Sequence, residues 1–393
     1  MTATETPLAV PDVSPGALAA VTAEIAASAA EYDRTGAIPQ RGLAAAHRAG
    51  LLTATVARRY GGPEVGTPDV LRILVALGEG DASVALLAAN NLNVHHAQAE
   101  HPYWPERYYT DLLRRNTAGP ALTNTVRAER ELGAPARGGV PATTARRTED
   151  GWSLSGRKQY ATGGPALAYH VVWVTVDEPG GDPDRPRVGH LVVPADLPGI
   201  TWLKTWDHLG LHASNTHDVV YQDVRVPADA FVEIPRGADG VYRDPSATPG
   251  VHGLGHAALY VGVARAARTA FARLARERVP GSLGRPIATT DHIRAVAGEI
   301  DAQITQAETL LYGAVLRVEA GDTALLSRLP LIKIQIARSA IAAVNTAVAS
   351  VGNFGLTRHQ PFEKLLRDVL CVRVHPPQED AALLAAGRRL LGQ

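Results

Sequence analysis

The chain has 393 residues, 46% of them hydrophobic, which is enough apolar surface for two or three packed domains of an ordinary globular protein. Its 39 basic and 39 acidic residues balance, so no basic excess points to nucleic acid or to an anionic membrane surface. A single cysteine, Cys371, excludes an internal disulfide and any multi-cysteine metal site, and within its apolar run it reads as a small core residue.

The first 14 residues are polar, with prolines at 7 and 11, and read as a loose arm; the first basic residue is Arg34, so the charged start of a secretory signal is missing. From about Ala17 to Arg115 apolar residues recur at helical spacing, as in Val70, Ile73, Leu74 and Leu77. Pro39 and Thr67-Pro68-Asp69 mark helix starts. From about Gly119 to Ile234 the pattern alternates in β fashion, with Val171, Trp173 and Thr175 on one face of a strand and a Gly/Pro-rich turn at 178–183. Short strands without intervening helices predict an antiparallel barrel or sandwich. A Gly-, Asp- and Pro-rich linker at 236–250 leads to helix-periodic runs Ala257–Ala275, His292–Glu319 and Leu331–Val351. These read as a four-helix bundle closed by a last helix after Pro376-Pro377, with acids at its start and Arg388-Arg389 near its end. Lys333 and Arg338 interrupt the best candidate for a membrane span, so a cytoplasmic protein is expected. The expected fold is α+β, divided into an N-terminal helical domain (1–118), a central β domain (119–235) and a C-terminal bundle (236–393).

Ordered stretches of sequence carry a resemblance. Gly50-Leu51-Leu52 with Tyr60-Gly61-Gly62, then Glu79-Gly80-Asp81-Ala82-Ser83, then Gly156 to Gly163, then His208-Leu209-Gly210-Leu211 through Val224-Arg225-Val226-Pro227, and finally Gly352-Asn353-Phe354-Gly355 with Leu366-Arg367-Asp368 resemble the acyl-CoA dehydrogenase superfamily. The resemblance runs from about residue 15 to 391 and implies a flavin, FMN or FAD, bound in a homotetramer whose flavin site a neighbour's bundle completes. It implies that Thr162 and the strand holding Thr123 and Asn124 supply donors to the flavin, with Tyr160 packing on the ring. Tyr160 and Thr162 equally suit a plain strand, since both have high β propensity. Arg278 and Ser282 resemble the stretch that reaches a neighbouring subunit's flavin.

In that superfamily the dehydrogenases use a glutamate base, either a few residues after the Arg-Asp pair or on the first long helix of the bundle. Here the first register falls on Pro376, and the second region has no Asp or Glu between Asp244 and Glu277, with His252 where the base is expected. Glu379 remains as a carboxylate that a small register shift could bring toward the flavin, but it reads first as an acid at a helix N-terminus. His375 after the Arg-Asp pair, and His95-His96 on an N-terminal helix, resemble instead the two-component flavin monooxygenases, among them phenol-type hydroxylases, sulfur and amine oxygenases and nitrososynthases. That branch takes reduced flavin from a separate reductase, adds O2 at flavin C4a and transfers one oxygen to a small organic substrate. His375 would then be the substrate base, and one of His96 and His95 would bond the oxygen or the substrate, because helix neighbours point roughly 100° apart.

His252 and His256 stand four apart, as helix ligands to a metal can, but lack an acidic or third partner nearby and read as pocket-lining or core residues. Three function classes follow: a monooxygenase, an acyl-CoA dehydrogenase with an unusual base, and a non-catalytic assembly unit. A scaffold has no need of the flavin-facing strand, which disfavours the third.

Overall fold

The computed structural model describes residues 8–132, 140–182, 185–240, 242, 244, 246–247 and 250–393. The first half of the expected N-terminal arm, Pro183 of the turn and parts of the 236–250 linker lie outside the described residues.

Helix starts follow the capping residues. The Ser14 hydroxyl accepts from Ala17 N at the head of α1 (Pro15–Thr35). Pro39 precedes α2 (Gln40–Arg48), and Thr67-Pro68-Asp69 opens α3 (Thr67–Gly80), with Asp69 in its positive first turn. Asp81 caps α4 (Ala82–Glu100) by accepting from Ser83 N at 2.7 Å, and α5 (Glu106–Ala118) completes the helical layer.

The β layer comprises β1 (Leu122–Val126), β2 (Thr144–Arg147), β3 (Gly151–Ala161), β4 (Leu167–Asp177), β5 (Val188–Pro194), β6 (Ile200–Leu203), β7 (His217–Pro227) and β8 (Phe231–Glu233). Its order is β6-β7-β3-β2-β4-β5-β8, with β1 also on β4. The sheet is mixed, which corrects the antiparallel expectation: β1 and β2 both run parallel to β4. The reason is that β1 pairs with residues 167–172 of β4 and β2 with residues 175–177, so the two short strands lie end to end along one neighbour and share one direction.

The C-terminal layer holds α6 (Gly255–Glu277), α7 (Asp291–Glu319), α8 (Leu329–Ala349), α9 (Phe362–Leu370) and α10 (Glu379–Leu391). Here α9 is the fourth bundle member, whereas α10, the helix after Pro376-Pro377, lies on α8 and buries just Ala382. Helices α3 and α6 touch backbone to backbone. A Cβ on Gly78 would stand 2.0 Å from the Leu259 oxygen, and one on Gly262 would stand 2.1 Å from the Val75 oxygen. The stretch Thr323–Ala349 has a window of mean hydropathy 1.2 and satisfies the length and composition of a membrane span, contrary to the sequence expectation. That window is 61% buried inside the protein, and Lys333 within it is 3% exposed, so its hydrophobicity serves the bundle core.

An ionic hub joins the layers. Asp368 of α9 is fully buried, pairs with Lys364 Nζ at 2.6 Å and accepts from Leu211 N at 2.7 Å. Lys364 also stands 3.9 Å from the Asp81 cap of α4, and Arg367 pairs with Asp33 of α1 at 2.6 Å and with Glu363 at 2.7 Å. Gly210 permits this meeting, since a Cβ there would lie 2.5 Å from the Arg367 oxygen.

Candidate active site

Helix α4 serves two layers with adjacent residues. Asn91 is buried; its Oδ1 accepts from Thr123 N at 2.9 Å and its Nδ2 donates to the Leu52 oxygen at 2.8 Å. Asn90, about 100° round the helix, bonds His256 Nε2 of α6 through its Oδ1 at 3.0 Å. Asn90, Asn93 and His96 are half-buried at three-residue spacing, so they form one polar stripe on an otherwise buried helix.

That stripe meets histidines from two distant segments. His96 stacks on His252, ring centroids 3.3 Å apart and planes 4° from parallel, and Thr67 Oγ1 at the head of α3 bonds His252 Nδ1 at 3.0 Å. One turn on, His256 stacks on His375 at 4.9 Å and 22°, with the Tyr260 ring 5.7 Å from His375. Burial keeps all four imidazoles neutral: it pushes His252 down to about 3 and His256 to about 4, and lowers His96. His375 is held well below the ordinary imidazole range by burial first, with His256 and Lys333 beside it further disfavouring a second positive charge. His252 Nε2 is buried without a hydrogen-bond partner among the described residues, an arrangement that costs about 1–3 kcal/mol until a ligand or water meets it.

The sequence candidates separate accordingly. His96 and His375 each join the imidazole group, through His252 and His256 respectively. His95 lies on the other side of α4, fully buried against the Tyr109 hydroxyl of α5 at 3.0 Å, and burial lowers it to about 4. Glu379 is the first residue of α10, half exposed and paired with Arg338. Residues that sequence reading did not place in the site are Asn90, Thr67, Tyr260 and Lys333; the adjacent asparagines in an apolar helix were the one visible signal.

The β3 end presents a second group. Tyr160 sits at a bulge with φ +54°, a strained conformation for a bulky residue, and is 58% exposed. The Thr162 hydroxyl accepts from Thr216 at 3.1 Å, which leaves its own proton to donate. Asn124 Nδ2 donates to the Thr162 oxygen at 3.0 Å, whereas Thr123 uses its N–H on Asn91 and its hydroxyl on the Tyr169 oxygen. Arg278 and Ser282 follow α6; Arg278 lies over the Phe354 ring at 4.7 Å, and 22 residues of helix rise place it about 33 Å from His256. The chain therefore does not bring Arg278 and Ser282 to its own histidines. Among the described residues no three His, Cys, Asp or Glu side chains converge as a metal site.

Three domain profiles of one family match in chain order: acyl-CoA dehydrogenase N-terminal domain over residues 16–100, middle domain over 126–224 and C-terminal domain over 251–377. The chain belongs to the acyl-CoA dehydrogenase superfamily. Within the superfamily it resembles both functional branches. It is 29% identical over 362 residues, 92% of each chain, to a putative acyl-CoA dehydrogenase of Bacillus subtilis. It is 30% identical over 370 residues, covering 90% of this chain and 83% of the other, to the L-evernosamine nitrososynthase of a Micromonospora species. The solved structure of KijD3 with FMN and an amino-deoxy sugar nucleotide superposes with a TM-score of 0.78 and 28% identity, covering 99% of this chain and 97% of the other. Superfamily membership makes this chain a flavin-dependent oxidoreductase by kinship.

Proposed function

We propose that this protein is a flavin-dependent monooxygenase that takes reduced FMN or FAD from a separate reductase and, with O2, oxygenates a small organic substrate. The observation that carries the reading is the pair of neutral histidine stacks, His96–His252 and His256–His375, where an acyl-CoA oxidase needs a carboxylate base. Kinship with nitrososynthases, and with a protein solved with FMN, supports it. The exposed Tyr160 and the free Thr162 proton fit a flavin, Tyr160 as a platform and Thr162 as a donor, with Asn124 holding Thr162 in place. Such a flavin, when bound, would supply the two electrons that activate O2. Arg278 and Ser282 are then offered to a neighbour's flavin in a homotetramer, since the length of α6 keeps them from their own.

The chain's own residues handle the proton. No hydrogen bond to the His375 ring forms among the described residues, so its neutral nitrogen is free to accept a proton from a phenol, thiol or amine substrate. Burial disfavours the imidazolium, so the proton best suited to His375 is one that becomes acidic as oxygen is delivered, and it is soon passed on. His96, clamped in plane by His252 and by Thr67 behind it, offers a hydrogen bond to substrate or oxygen, and His252 Nε2 offers another. The alternative, acyl-thioester desaturation with Glu379 as base, needs a carboxylate that here sits at a half-exposed helix start on Arg338.

The test mixes protein carrying reduced flavin with oxygenated buffer, and separately adds an acyl-CoA panel anaerobically to protein carrying oxidised flavin. Reoxidation in two resolved spectral phases, with label from 18O2 in the product, is expected. His375→Ala should cut oxygen transfer about 100-fold or more while reduced-flavin binding survives. Bleaching of oxidised flavin by an acyl-CoA, with single-phase reoxidation, would overturn the reading.

A further inference from the structure

Lys333 lies within α8, 3% exposed, and its ammonium faces carbonyl oxygens instead of a carboxylate. It donates to the oxygens of Val372 at 3.0 Å, His375 at 2.8 Å and Pro377 at 3.3 Å. An ammonium has three protons, and here three carbonyls of one short segment receive them. Burying such a charge costs several kcal/mol, and a neutral amide or a water would cap loose carbonyls without that penalty. The segment singled out is the one that carries His375.

We propose that Lys333 is the positioning residue of the candidate site: by gripping three carbonyls it fixes segment 372–377 so that the His375 ring stays stacked on His256. The inference rests on the role given to His375 and adds to it a residue that touches neither substrate nor flavin. The charge acts a second time, since Lys333 disfavours protonation of both His256 and His375. The titratable groups around it are those two imidazoles, from the start of α6 and from the loop, and Glu379 of α10, which is shared with Arg338. Burial lowers Lys333 to about 8 and Glu379 opposes the shift, so mild alkali turns three donor protons into two and one carbonyl loses its partner.

The test uses the full chain without flavin. Hydrogen exchange of segment 371–378, corrected for intrinsic rates, and the His375 imidazole resonance are followed from about pH 6 to 10 in the wild type, Lys333→Met and Lys333→Arg. In the wild type, protection should fall through a step near pH 8. Lys333→Met, which loses all three hydrogen bonds, should exchange at least about tenfold faster below pH 8, the equivalent of one lost hydrogen bond or more, with a smaller gap above it, and its His375 should titrate higher. Lys333→Arg should regain protection at neutral pH and lose the alkaline step. Wild-type protection of the segment in Lys333→Met, with an unmoved His375 resonance, overturns the proposal. If that variant does not fold, Lys333→Gln decides, because it removes the ammonium and keeps a neutral donor: wild-type protection of the segment there, with an unmoved His375 resonance, overturns the proposal equally. None of these readouts needs turnover, so a protein that shows the step yet transfers no oxygen keeps the role of Lys333 in holding His375 and loses only the oxygenase reading.

Discussion

Replacing Asp368 with asparagine removes one charge from a pair that has no water to fall back on. Asp368 is fully buried, 2.6 Å from Lys364 and 2.7 Å from Leu211 N. The asparagine keeps an acceptor for Leu211 N, so the change isolates the ion pair. Stranding one partner of a buried pair costs about 3–5 kcal/mol, and Asp81, 3.9 Å from the same ammonium, sets the expectation at the lower end, about 3 kcal/mol. For 393 residues at ~2.1 cal/mol/K each, the unfolding entropy is about 0.8 kcal/mol/K, so Tm should fall by about 4 °C if the layers unfold together. Differential scanning calorimetry of Asp368→Asn, Lys364→Met and the double variant Lys364→Met/Asp368→Asn measures it. The double variant should recover part of the loss, because it strands neither member of the Lys364–Asp368 pair, although buried Asp81 then lacks its ammonium. An Asp368→Asn protein within about 1 °C of the wild type, or a double variant that loses the sum of both singles, would refute the hub as described.

Two further outcomes are open to direct measurement. Gly262→Ala places a methyl 2.1 Å from the Val75 oxygen, where neither backbone can retreat without parting α3 from α6, so a loss at or above the usual 1–3 kcal/mol of overpacking, about 3 kcal/mol, should appear in chemical denaturation; a neutral result would show that the helices stand further apart. His256, lowered to about 4 by burial, binds no proton in the folded state where the unfolded chain does, so its share of stability is complete above pH 6.5 and declines as pH falls from 6.5 towards 4, by roughly 3 kcal/mol over about 2.5 units. NMR titration of the imidazole protons follows this, and a His256 midpoint near 6.5 would sink the account.

The long bundle helices were legible because their apolar residues keep a 3.6 period over twenty or more positions, and α4 because Asp81 announces its start. The parallel pairing of β1 and β2 was hidden, since nothing in two strands of five and four residues says that both lie along the same neighbour. His375 and His96 were visible through the motifs around them, but their partners were not. His252 is 156 positions from His96 and His256 is 119 from His375, so each stack is a product of tertiary packing that local spacing does not encode. Arg367-Asp368, which carries the resemblance in sequence, forms an ionic joint between layers whose partners Asp33 and Lys364 no local spacing indicates. Lys333 was read as an interruption of an apolar run, when its burial under a ring of carbonyls is a reason for that run to be helical bundle core.

Asn90 and Asn91 give α4 the character of a camshaft. Consecutive side chains engage two different layers, so one helix couples the rotational phase of the sheet to that of the bundle. Insertion of a single residue upstream in α4 would turn both contacts by about 100° at once, handing the histidine's partner Asn90 to the strand and leaving Ala89 towards His256. A substitution at Asn93, between the two histidine-facing positions of the same helix, leaves that phase unchanged.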